Sequence, residues 1–240
     1  MKKIVRSTFF AFSFCLGIVA FGCTDLSGIV LQEERDLQGF TGISLAVPAN
    51  VSLTQGNEYF VKIEADKVLL EKIETKVVGN TLKIYTNGER FFSTRGGKIA
   101  IHITMPKVEE LNIAGSGDIN AISPITTDEL TINIAGSGDV RIDNLTVDVV
   151  NAKVAGSGDI AISGEGKANS ANIKIAGSGD VVFKNIEFTN GDVNIAGSGD
   201  AYLSVSENLK ANIIGSGDLI YTGNPQVEAK VLGSGSIKNK

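Results

Sequence analysis

The chain has 240 residues, 42% of them hydrophobic, with 28 glycines, no tryptophan and a formal net charge of −5. That length allows a substantial core in one elongated unit or two small ones, and the acidic balance argues against nucleic acid or anionic lipid head groups as partners. Both cysteines, Cys15 and Cys23, lie near the N-terminus, so the rest of the chain can form no internal disulfide.

Residues 1–22 place Lys2, Lys3 and Arg6 ahead of an uncharged apolar run from Phe9 to Phe21, the arrangement of a secretory signal peptide. The run ends in Ala20-Phe21-Gly22-Cys23, which resembles a bacterial lipobox. That resemblance implies lipid attachment at Cys23 and a Gram-negative outer-membrane lipoprotein, facing the periplasm or the exterior. Two acyl chains on one cysteine would meet the requirement for stable membrane anchoring. Ala20 and Gly22 also satisfy ordinary signal cleavage, which would leave a soluble periplasmic or secreted protein. Without Lys2, Lys3 and Arg6 the chain carries 19 basic against 27 acidic residues, a net charge of −8. Residues 23–35 read as a polar tether between lipid and domain.

Residues 36–110 are strand-rich without regular punctuation. Apolar and polar residues alternate over Gly42–Val47, Val51–Gln55, Tyr59–Glu64, Thr81–Tyr85 and Lys98–Met105, which predicts short strands. Asp66–Ile73 reads as one short helix capped by Asp66. This part is expected to form less regular β structure that caps the first coil of the repeats beyond residue 110.

From residue 111 to 240 the sequence repeats. Gly-Ser-Gly begins at Gly115, Gly136, Gly156, Gly177, Gly197, Gly215 and Gly233, in steps of 21, 20, 21, 20, 18 and 18 residues. A period near 20 identifies stacked coils. Two residues before each copy stand Ile113, Ile134, Val154, Ile175, Ile195, Ile213 and Val231. Four after it stand Ile119, Val140, Ile160, Val181, Ala201, Leu219 and Ile237. The column three before is polar throughout, being Asn or Lys. Apolar, polar, apolar is period 2, so a strand enters each corner and another leaves it. Coils of this size hold three short strands and three turns, with aliphatic ladders facing inward at about 4.8 Å spacing. The predicted fold is all-β: a right-handed parallel β-helix of about seven coils. Lys238, Asn239 and Lys240 are expected to protect its last coil by polarity, and no membrane barrel is expected that would permit self-translocation.

Repeats of Ile-Ala-Gly-Ser-Gly-Asp, as at Ile113–Asp118, Ile134–Asp139, Ile175–Asp180 and Ile195–Asp200, resemble the family described as putative auto-transporter adhesin, head GIN domain. The resemblance spans about Asp36 to Lys240 and implies a β-solenoid with an adhesin-like role.

Six corners place an aspartate after the second glycine: Asp118, Asp139, Asp159, Asp180, Asp200 and Asp218. Stacked carboxylates repel by about 0.9 kcal/mol per neighbour even in water. Either turn amides compensate them by hydrogen bonding, or a row of Ca²⁺ ions does; the first is the expectation, with no bound metal or cofactor. Gly-Ser-Gly is followed by no Gly-Lys-Ser/Thr and no helix, so it is no phosphate cradle. His102, the single histidine, sits in an alternating strand as an outward residue rather than a base. Arg90, Phe91, Phe92 and Arg95 form a candidate binding loop for a sugar or a protein partner. These readings favour a non-catalytic envelope module that binds a glycan or surface protein. The competing class is a carbohydrate-active β-helix enzyme, which would need carboxylates and a basic residue over a groove.

Overall fold

The computed structural model describes residues 26–87 and 97–240. In chain order its N-terminal elements are β1 (Val30–Glu34), β2 (Gly42–Leu45), β3 (Asn50–Gln55), β4 (Phe60–Asp66), α1 (Lys67–Leu70), β5 (Ile73–Val78), β6 (Thr81–Thr86) and β7 (Ala100–Met105). The repeats supply β8 (Glu110–Gly115), β9 (Asp118–Ala121), β10 (Ile125–Thr126), β11 (Glu129–Gly136), β12 (Val140–Thr146), β13 (Val149–Gly156), β14 (Ile160–Gly177), β15 (Val181–Gly197), β16 (Ala201–Gly215), β17 (Leu219–Thr222), β18 (Gln226–Gly233) and β19 (Ile237–Asn239). The architecture is the expected all-β solenoid, with about six turns against the seven coils anticipated.

Parallel pairing runs in register through the repeats. Ile113 pairs with Ile134, Ile134 with Val154, and so on through Ile175, Ile195, Ile213 and Val231. The inward columns are fully buried from Ile113 to Ile213 and from Ile119 to Leu219, because each aliphatic side chain stacks on its equivalent in the coils above and below. β14 and β15 pair across two bends of the coil, with register shifts at the irregular stretches such as Ser163 to Gly166.

The N-terminal part does more than cover the first coil. β2 pairs in parallel with both β8 and β6, and β3 with both β9 and β7. One coil, β2–β3, is thus sandwiched between two that come later in sequence. Beyond it, β4 and β5 lie antiparallel along β7 and β6 and close that end of the stack. The ladder continues into this region because inward residues such as Ile43, Leu53, Ile84 and Ile103 are aliphatic and buried like those of the repeats.

Two N-terminal expectations change. The helix is a single turn, Lys67–Leu70, with Asp66 at its cap accepting the Val68 N–H at 2.9 Å. Part of the stretch read as a tether is folded: β1 pairs antiparallel with β4. Its entry is held by Asp66, whose carboxylate also accepts the Gly28 N–H at 2.8 Å and the Ser27 hydroxyl at 3.0 Å. At the other end the expected protection by terminal polar residues is incomplete. Every residue of β18 is exposed, Val227 and Val231 among them, because it is the last strand of its ladder, and Lys238, on β19, pairs with Asp218.

Candidate functional site

Each corner is built from backbone that excludes side chains. The Gly136 carbonyl accepts N–H bonds from both Ser157 (2.9 Å) and Gly158 (3.2 Å) of the next coil, and the pattern repeats from Gly115 to Gly215. Gly156 has φ +139°, a conformation other residues avoid. The serine between the glycines takes part through its backbone N–H, which donates to the glycine carbonyl of the preceding coil.

The aspartates form a ladder of their own. Asp118 Oδ1 accepts the backbone N–H of Asp139 at 3.0 Å, and the same bond joins Asp139 to Asp159, Asp159 to Asp180, Asp180 to Asp200 and Asp200 to Asp218. The compensating amide therefore comes from the neighbouring coil rather than the aspartate's own turn. At the end, Asp218 meets Ser236 and, at 2.9 Å, the Lys238 ammonium; the lysine first and the serine second hold its carboxyl below its ordinary value. Tyr202 lies beside this row, and burial followed by the charges of Asp200, Asp180 and Asp218 pushes its phenol up. Among the described residues no cluster of three or more His, Cys, Asp or Glu converges as a metal site.

On the strand side of the corner the outward residues form a groove of about 780 Å³ running along the stack. Its floor is the column immediately before each Gly-Ser-Gly: Ala114, Ala135, Ala155, Ala176 and Ala196, all exposed, then Ile214 and Leu232, which are 59% and 53% exposed. Its rail is the Asn/Lys column. Asn133 Nδ2 donates to Asn112 Oδ1 at 2.8 Å, whereas Lys153, Lys174 and Lys230 have no ion-pair partner among the described residues. The lining offers aliphatic carbon, carboxamides and ammonium groups, with no carboxylate, imidazole or thiol.

The alanine column is absent from the site residues expected from sequence, although five alanines at one outward position of a repeat are visible there. A small residue at that position is what leaves room for a groove. His102 lies on β7 with its side chain 41% exposed, 3.7 Å from the Glu64 carboxylate. Its strand pairs with β3 and β4 and with none of the groove strands. Cys23 and the loop residues Arg90, Phe91, Phe92 and Arg95 lie outside the described residues.

Residues 39–225 match the family described as putative auto-transporter adhesin, head GIN domain. The chain belongs to this family. Solved structures share the fold. A putative adhesin from Bacteroides fragilis is 25% identical with a TM-score of 0.79, over 90% of this chain and 99% of that one. A putative lipid binding protein from Parabacteroides distasonis is 24% identical with a TM-score of 0.74, over 90% and 99%. A putative adhesin from Parabacteroides merdae is 20% identical with a TM-score of 0.68, over 90% and 98%. Comparison with curated proteins finds no match. No helix among the described residues is long and apolar enough to cross a membrane.

Proposed function

We propose that this family member is a non-catalytic binding module of the cell envelope, held at the outer membrane through lipid on Cys23, whose lateral groove receives an extended glycan. One observation carries the reading. Along the groove, chemically similar positions recur once per coil, about every 4.8 Å, in register over seven strands. A polymer with a repeat near that length can make the same contact several times, and weak contacts then add through multivalency. The carboxamides and free ammonium groups suit hydroxyl and carboxylate groups, and the alanine floor suits the apolar faces of sugar rings.

Catalysis draws no support from the lining, since glycoside hydrolysis depends on a pair of carboxyl groups flanking the bond and the groove holds none. The test is a panel of host and cell-wall glycans, scored for retention and for release of reducing ends. Retention without release is expected, strongest for acidic polymers. The double variant Lys153→Glu, Lys174→Glu should weaken that binding by about tenfold, roughly 1.4 kcal/mol, with Tm unchanged. New reducing ends would instead indicate an enzyme. Absence of retention across the panel would remove the glycan reading. Equal lipid labelling of a Cys23→Ala variant and its parent would remove the anchor.

A further inference from the structure

The end of the solenoid at β18 carries an interaction surface that adjoins the groove, whose last lining residues, Lys230 and Leu232, lie on this strand. β18 pairs with β16 along one edge and with nothing along the other among the described residues. Val227 and Val231 lie in inward columns above the buried Leu209 and Ile213, yet are 41% and 38% exposed. The polarity of the backbone at this edge can be read from the equivalent strand behind it. Thr131, at the register position of Glu228, donates its N–H to Glu109 O of the coil behind at 2.9 Å. Alternation along the ladder therefore turns the N–H and C=O groups of Val227, Ala229 and Val231 outward.

We propose that β18 pairs antiparallel with β18 of a second copy about a two-fold axis at Ala229, joining two solenoids tail to tail. The segment Val227-Glu228-Ala229-Lys230-Val231 is its own complement in this register. Val227 faces Val231 of the second copy, Ala229 faces Ala229, and Glu228 faces Lys230, each unlike pair occurring twice by symmetry. The three positions with outward backbone groups meet one another, as an antiparallel ladder requires. The valines fall on the core side of both solenoids and the charge pairs on the outer side. A shift of one residue would set valine against charge and put every side chain on the wrong face. At the opposite end the outermost strands, β1 on β4 and β5 on β6, run antiparallel to the strands they cover, so head-to-tail stacking there would not continue the parallel coils.

Sedimentation equilibrium of the purified full chain, over micromolar to millimolar concentration, tests the pairing. A reversible dimer is expected. Glu228→Lys alone, or Lys230→Glu alone, sets like charges opposite each other and should raise the dimer Kd by about tenfold or more. The two together restore opposite charges and should return the Kd to near the parent value, which separates pairing from any effect on folding. Ala229→Pro removes an N–H that β16 does not use and should abolish the dimer while the monomer stays folded. A parent that stays monomeric throughout would overturn the proposal, and so would a dimer indifferent to the single reversals.

Discussion

A methyl group added to Gly158 would run into the carbonyl oxygen of Gly138 in the coil below and lie 2.9 Å from Ile134 Cγ2. Neither obstacle can swing away: one is backbone, the other a buried β-branched side chain. Gly158→Ala must therefore pry two coils apart and weaken the bifurcated bond at Gly136, a cost of about 2–3 kcal/mol. Ser157, one residue earlier, already carries a Cβ that the corner accommodates, and Ser157→Ala should stay within about 0.5 kcal/mol. Denaturant unfolding of the two variants checks the contrast, and a Gly158→Ala variant as stable as Ser157→Ala would refute the close-approach argument. The glycines are legible in sequence as corners because their spacing is regular. Their partners are not. That each first-glycine carbonyl serves two amides of the next coil, and each aspartate an amide of the next aspartate, are contacts between residues some 20 apart in sequence, and no local pattern records them.

At the scale of elements, β1 is held by its ladder to β4 and, at its entry, by one buried side chain. Asp66 is 4% exposed, and burial opposes its ionisation; the N–H bonds from Val68 and Ser27, the Ser27 hydroxyl and the Gly28 N–H outweigh burial, so its carboxyl lies below the ordinary value. A folded-state pKa lowered in this way stabilises the structure above the unfolded-state value and loses that contribution as pH falls through the folded one. Amide exchange at Val30–Glu34 should accordingly accelerate, relative to β13 to β15, as pH drops below about 4 once the intrinsic pH dependence of exchange is removed. The same segment should be loose at every pH in Asp66→Ala. Unchanged relative protection in both cases would show that β1 is held by its ladder to β4 alone. Asp66 is legible in sequence as a helix cap from its position before Lys67–Leu70. Its second role is hidden there because Ser27 and Gly28 lie 39 and 38 residues away, within a stretch whose polar composition reads as tether. The insertion of β2–β3 between later coils is hidden for a related reason: strand alternation marks which face is buried but not which strand is the neighbour.

For the molecule as a whole, the two ends of the stack are unlike, and a solenoid's stability is a sum over coils and the interfaces between neighbours. The central coils share each inward face with two others. The first coils are locked by sequence-distant strands, since opening β2–β3 breaks its ladders to β6–β7 and to β8–β9 together. The last coil has one neighbour and half-exposed core residues, tied down on its β19 side by Ser236 and Lys238 on Asp218. Opening should therefore begin at β18 and β19 and propagate toward β11, giving amide protection that rises along the axis away from Gly233. Hydrogen exchange at a concentration where the chain is monomeric checks this, with the lowest protection expected at Gln226–Gly233 and the highest at β13 to β15 and β2 to β3. Raising the concentration into the dimer range should protect Val227, Ala229 and Val231 selectively, because their N–H groups are the ones turned away from β16, while Glu228 and Lys230 already donate to it. A flat profile would mean that the stack opens as one unit, and the asymmetry of its ends would then have no energetic consequence.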